Sequence, residues 1–140
     1  MEKYQYSYGK EDFEDAKMIR QKVFVEEQGF NNEFDEIDEH AYHLVIYLDD
    51  HPVATGRMYQ QDKQTVIFGR IAVLKQYRKL GLGRKVIEGL EKKAKELNFK
   101  QAHLSAQMQA SKFYEKLGYC CYGDQYYDEW CLHISMNKCL

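Results

Sequence analysis

The chain has 140 residues, 44% hydrophobic and 14% aromatic, with 12 tyrosines and a formal net charge of −2. That length and apolar share suit a single domain over residues 1–140, and the near-neutral charge supplies no whole-molecule field for nucleic acid. No apolar run nears the roughly 20 residues of a membrane span, and Met1–Gln5 lacks the apolar centre of a secretory leader, so the expected location is cytoplasmic.

Tyr4 to Tyr8 alternates Tyr-Gln-Tyr-Ser-Tyr, the period of a half-buried strand, and Gly9 ends it. Asp12 or a neighbour is placed to cap a helix running to about Glu27. Its apolar positions Phe13, Ala16, Ile19, Val23 and Phe24 keep helical spacing, and Gly29 is a natural stop. Gly29 to His40 is acidic and turn-rich. It reads equally as a solvated loop or as a cation-attracting rim. Ala41 to Leu48 is a strand, Asp49–Pro52 a turn, and Val53 to Tyr59 the returning arm of a hairpin. Gln60 to Gln64 makes another turn. Thr65 to Leu74 is the most continuous apolar strand, expected at the centre of the sheet with both faces covered.

Arg78-Lys79-Leu80-Gly81-Leu82-Gly83-Arg84 comes next, between that strand and a helix-like run from Val86 to Leu97. A turn of this kind aims backbone N–H groups at one spot, at the partly positive start of a helix. Gly81 and Gly83 let the backbone approach a ligand closely. Arg78, Lys79 and Arg84 add cations at the mouth, which suits a pyrophosphate. The spacing is neither a Walker-A loop nor a complete dinucleotide fingerprint. In the helix, Val86, Ile87, Leu90, Ala94 and Leu97 share one side, and Glu88–Lys92 and Glu91–Lys95 form i,i+4 pairs on the other. Asn98 can end it. Gln101 to Ala106 is a strand, and Gln109 to Leu117 a short helix stopped by Gly118. Tyr119–Tyr122 and Trp130–Met136 are the last strands, expected to be antiparallel. Cys120, Cys121, Cys131 and Cys139 lack paired CxxC spacing and read as reduced, mostly buried strand residues, with no metal implied.

The order is strand, helix, three strands, helix, strand, helix, two strands. This predicts an α/β (α+β) fold with a central mixed sheet flanked by helices. Thr65–Leu74 and Gln101–Ala106, joined by a helix, should be parallel neighbours.

Three features together resemble the GCN5-related N-acetyltransferase (GNAT) superfamily. They are the Arg-x-x-Gly-x-Gly turn at Arg78–Gly83 after Gly69-Arg70-Ile71-Ala72-Val73, the segment Ala110–Tyr119, and the element order itself. Val23–Gln28, the acidic loop through Asp38, Ala106-Gln107 and His133–Met136 are similar to the small bacterial ElaA-like branch. Trp130-Cys131-Leu132 departs from that branch, which usually carries Gly-Ile-Pro there.

The resemblance implies acetyl-CoA as cosubstrate, with no metal, and an amine acceptor, either a small molecule or a peptide. Backbone groups of Ile71, Ala72 and Val73 would pair with the pantetheine arm like an added strand. The N–H groups of Lys79, Leu80, Gly81, Leu82, Gly83 and Arg84 would hold the pyrophosphate, with Arg78 beside them. Gln107 would be a polar partner of the pantetheine or the active site. Tyr114 would protonate the leaving thiolate, with Phe113 the better candidate to face the sheet.

The amine must lose a proton before it attacks, because an alkyl ammonium titrates near ~10.4. Glu26, Glu27, Asp38, Glu129 and His133 are candidate bases, with Glu27 preferred. A backbone N–H near Ile71–Val73 would serve the oxyanion. No cysteine holds a nucleophile position, so direct transfer in a ternary complex is expected. In the same resemblance the segment after the first helix borders the acceptor. Glu33, Asp35, Glu36, Asp38 and Glu39, five carboxylates in seven residues, would then favour a cationic amine. The alternative function is a module that binds or senses acetyl-CoA without catalysis. Membrane and nucleic-acid partners are not expected. Oligomeric state stays open, a homodimer among the options.

Overall fold

A computed structural model describes residues 1–140. Seven strands form one sheet: β1 (Glu2–Tyr8), β2 (Tyr42–Leu48), β3 (His51–Gln60), β4 (Thr65–Val73), β5 (Gln101–Gln107), β6 (Cys120–Asp128) and β7 (Cys131–Cys139). Their spatial order is β1-β2-β3-β4-β5-β7-β6. Only β4 and β5 are parallel, as the intervening helix demands.

Helix α1 (Glu14–Arg20) continues into a wider-wound π segment, Gln21–Glu27. The expected single helix is thus two windings. Nor does Asp12 cap it: Phe13 holds the cap position without a side-chain hydrogen bond, and Asp12 is left-handed at φ 51°. Helix α2 spans Leu82–Glu96, and α3 spans Ser111–Lys116 after a short 3-10 turn, Met108–Ala110.

Strand alternation divides the apolar side chains between two cores. Leu44, Ile46, Val66 and Phe68 pack under α2 with Val86, Ile87 and Leu90. Val45 points the other way, to α1 and its Phe13, Ala16 and Ile19. β4 is therefore central and covered on both faces, as expected from its apolar run. Helix α2 seats closely on β3 because Gly56 has no side chain: a Cβ there would lie 2.6 Å from Val86 Cγ1 and 2.9 Å from Ile71 Cδ1.

Three features differ from the sequence reading. The β2–β3 turn is only Asp49-Asp50, both left-handed (φ 48° and 68°), and Pro52 lies within β3. Two successive left-handed residues match the twist of a hairpin. β6 does not end at Tyr122 but runs on to Asp128, with an irregularity between Tyr122 and Tyr126. Finally, Cys120, Cys121 and Cys139 are exposed and only Cys131 is buried. β7 lies inside the sheet, so β6 becomes an edge strand with little cover.

Candidate active site

β4 and β5 pair only from Thr65–Phe68 to Gln101–Leu104, and beyond that they diverge. The cause is local. Thr55 pairs with Ala72 but Arg57 pairs with Gly69, so two β4 residues, Arg70 and Ile71, face the single Gly56. Arg70 takes the extra step in a left-handed conformation at φ 53°. Such a bulge bends its strand and inverts the phase of the residues beyond it. Val66 and Phe68 face the α2 core, whereas after the bulge Ile71 and Val73 face it and Ala72 turns to the α1 core. Gly69–Val73 thus presents an edge to which β5 is no longer paired. A cleft of 330 Å³ opens there, with Ile71, Gln107, Tyr114, Arg70, Glu33 and His133 among its walls.

The strand then leads to the basic turn. Lys79 (φ 68°) and Gly81 (φ 76°) are left-handed, and Gly81 is the N-cap of α2 without any side-chain cap. The first N–H groups of a 15-residue helix are left for another acceptor. A Cβ at Gly81 would meet nothing within 4 Å, whereas one at Gly83 would lie 3.3 Å from the Phe113 ring. Lys79 and Leu80 are exposed. Arg84 pairs with Glu88 at 3.3 Å. Arg78 is not a free cation at the mouth. Its Nε donates to the Val73 carbonyl (3.0 Å) and its Nη atoms hold the Glu27 carboxylate at 2.6 and 2.7 Å.

That pairing relocates Glu27. It is absent from the cleft wall, and the Arg78 hydrogen bonds hold its carboxyl below the usual range, which makes it a weaker base. Gln28, one residue on, lines the cleft, and its side-chain oxygen accepts from Gln107 Nε2 at 2.9 Å. Phe113, and not Tyr114, departs from the place expected of it. Tyr114 packs against the α2 core and lines the cleft, while Phe113 is exposed beside Gly83. Burial pushes the Tyr114 phenol up to about 12, so it is protonated throughout the neutral range. His133 donates from Nδ1 to the Cys131 carbonyl at 2.9 Å, because a carbonyl can only accept. Its Nε2 has no protein hydrogen-bond partner, and the ring stacks on Tyr126 with the centroids 6.0 Å apart.

Three of the five acids in the loop fold back on arginines, while Glu36 and Glu39 remain exposed. Arg20 binds Glu33 through Nε (2.8 Å) and Asp38 through Nη1 and Nη2 (2.8 and 3.1 Å). Arg57 binds Asp35 and Asp38 at 2.8 and 2.9 Å. Arg70 reaches Asp35 at 3.2 Å and lies 3.0 Å from Glu33 Oε2. Three arginines thus face three carboxylates, with Arg20, Glu33 and Asp38 almost wholly buried. Burial opposes ionisation of Asp38, but Arg20 and Arg57 outweigh it and hold the carboxyl below its ordinary 3.8. At Glu33 burial wins against Arg70, Arg20 and Arg57, and the carboxyl is raised.

A strap closes one end of the cleft. Glu129 accepts from the Asn31 and Asn32 backbone N–H groups at 2.9 and 3.1 Å, and Trp130 packs on Phe30 at 5.4 Å. The Trp130-Cys131-Leu132 departure therefore serves packing: Trp130 meets Phe30, and Cys131 enters the α1 core. Arg57 and Arg70 escaped the sequence reading as cleft residues, and Glu33 was expected beside the acceptor only as one of five acids. Two signals were present: Arg70 interrupts an apolar strand, and Arg20 falls on the apolar face of its helix, four residues after Ala16.

Residues 7–140 match the family described as the acetyltransferase (GNAT) domain. The chain belongs to that family. This GNAT chain is 37% identical to YyaT of Bacillus subtilis strain 168 over 132 residues, covering 91% of itself and 88% of YyaT. A protein described as an N-acetyltransferase from Lactobacillus plantarum has the same fold at a TM-score of 0.92 and 31% identity, with 99% and 98% of the two chains covered. Escherichia coli ElaA shares the fold at a TM-score of 0.87 and 24% identity, with 99% of each chain covered. The mixed sheet and its helices are those of a GNAT acetyltransferase. No helix is long and apolar enough to cross a membrane.

Proposed function

We propose that this GNAT chain transfers the acetyl group of acetyl-CoA to an amine by direct attack in a ternary complex. One observation carries the reading: the strand edge released by the bulge and a protonated tyrosine line one cleft, and the same strand leads through the basic turn to the uncapped N-terminus of α2. Ile71, Ala72 and Val73 would pair with the pantetheine amides. The N–H groups from Lys79 to Arg84 would hold the pyrophosphate, with Lys79 adding charge. Gly81 leaves room there, and Gly83 has none to spare beside Phe113. Arg78 would act indirectly, tying the turn to the end of β4 and to Glu27. Gln107 and Gln28 form a polar wall at the reacting end.

Tyr114 gives its proton to the departing thiolate. A free thiol titrates near ~8.5, so donation from a phenol at about 12 runs uphill in water. The burial that raises the phenol also raises a thiolate released beside it, which narrows that gap. The acceptor is an amine. Its selection by charge gains no support from the acidic loop, whose Glu33, Asp35 and Asp38 are offset by Arg20, Arg57 and Arg70.

The test has two parts. Isothermal titration with acetyl-CoA measures binding, and thiol release over a panel of primary amines measures transfer. Binding accompanied by amine-dependent release supports the proposal. Binding without release from any amine would mark a non-catalytic acetyl-CoA module, and no binding would remove the site.

A further inference from the structure

We infer that Glu33 is the general base of the cleft, its Oε1 taking the proton from the incoming ammonium while Arg20 and Arg70 hold Oε2. This rests on the acetyl-transfer reading above. The geometry singles out one carboxylate. Three acidic residues line the cleft: Glu33, Asp128 and Glu129. Asp128 and Glu129 lie on the exposed β6–β7 hairpin, and Glu129 is committed to the Asn31 and Asn32 N–H groups. Glu33 is only 5% exposed.

Its two oxygens differ. Oε2 accepts from Arg20 Nε at 2.8 Å and lies 3.0 Å from Arg70 Nε. Oε1 receives no protein hydrogen bond, yet it is not among the sealed, unsatisfied side-chain atoms, which are only His43 Nδ1 and Arg57 Nε. An oxygen without a partner, on a buried residue that walls a cleft, opens into that cleft. The carboxylate also stands beside the bulge: Arg70 Nε donates to the Glu33 carbonyl at 3.1 Å, and Arg70 immediately precedes Ile71, the first residue proposed to bind pantetheine. Arg20 and Arg70 act as positioning residues. They fix the orientation of the carboxyl group, and their charges favour its ionised form against the burial that opposes it. Burial raises this carboxyl above its ordinary value, which strengthens it as a base.

Each proton has a donor and an acceptor. Oε1 takes one proton from R–NH3⁺. The amine lone pair then attacks the thioester carbonyl carbon, the C–N bond forms and the C–S bond breaks. Tyr114 gives a proton to the thiolate and regains one from the nitrogen as the amide forms. Glu33 releases its proton to solvent.

The test compares ethylamine, which is an ammonium ion at pH 7.5, with 2,2,2-trifluoroethylamine, which is already neutral there. Acetyl-CoA and saturating amine are supplied to the wild type and to E33Q, with acetyl-CoA titration confirming a folded, binding-competent variant. Loss of a general base should lower kcat for ethylamine by about 10²–10⁴, while the already neutral amine should lose less than about tenfold. A merely structural defect would lower both alike. Should E33Q fail to fold, E33D keeps the charge, withdraws the oxygen by one methylene, and should show the same unequal loss. Equal losses for the two amines, or none, would overturn the inference and direct attention to His133 Nε2. A wild type that binds acetyl-CoA and acetylates no amine would instead overturn the acetyl-transfer reading, and this inference with it.

Discussion

Two charged loops read alike in the sequence and fold in opposite ways. Arg78–Arg84 stays at the surface around the start of α2, whereas Gly29–His40 sends Glu33, Asp35 and Asp38 into an arginine–carboxylate network in which Glu33 and Asp38 are buried. The first draws its character from its own backbone, since left-handed Lys79 and Gly81 and an uncapped helix need no distant partner. The second draws its character from Arg20, Arg57 and Arg70, on three other elements. A run of like charges therefore reports function only when its partners are known. Of the five acids that suggested a funnel for cations, Glu33 alone lines the cleft, and one of its oxygens has no protein partner.

The sharpest way to break this comparison is to remove the shared carboxylate of the network. Asp38→Asn should cost about 3–5 kcal/mol in urea denaturation, because it removes the buried charge that Arg20 and Arg57 share. Lys79→Gln, in the exposed loop, should stay within about 0.5 kcal/mol. The same carboxyl sets a pH limb. Its folded pKa lies below 3.8, so its contribution is present above that value and is lost as the pH falls through the folded one. Melting curves from pH 6 down to about pH 3 should fall for the wild type and flatten in Asp38→Asn. An unchanged acid limb would show that Asp38 does not govern it.

Next in size is Tyr114→Phe. The ring and its packing remain, so acetyl-CoA should still bind. Turnover should drop by about 10²–10⁴, measured where the chemical step limits the rate. Full activity would remove the phenol from the mechanism.

Gly83→Glu attacks the other loop. A side chain there meets the Phe113 ring, only 3.3 Å from the new Cβ, and adds negative charge at the α2 N-terminus. At acetyl-CoA near 100 times Kd, the wild type should gain about 2.7 kcal/mol in thermal shift, and the variant should gain nothing. A folded variant with an unaltered shift would place the pyrophosphate elsewhere.

The smallest effect separates the loops by salt. Exposed Lys79 and Arg84 are screened over about 10 Å at 0.1 M salt, so KM for acetyl-CoA should rise a few-fold between low and moderate ionic strength. The paired acidic loop carries little net field, and KM for an amine should hardly move. A salt-dependent amine KM with a constant acetyl-CoA KM would reverse the assignment of the two loops.

The sequence alone determined much of what near neighbours govern. The apolar run of β4, the α2 face of Val86, Ile87 and Leu90, and the Gly81 turn all arise from periodicity and backbone freedom over a few residues. The parallel β4–β5 pair came from the helix between them. Tyr114 and Gln107 were legible through the family resemblance of short motifs, and both line the cleft. Tertiary structure decided the rest. The bulge at Arg70 depends on pairing across to Gly56, so no local pattern announces the point where β4 leaves β5. Glu27 reads as a free carboxylate until Arg78, 51 residues away, takes it. Glu33 reads as one acid among five until burial and two arginines leave it a single open oxygen. The physical reason is common to all three. A charge acquires its chemistry from desolvation and from its partners, and both are set by residues that meet only when the chain has folded.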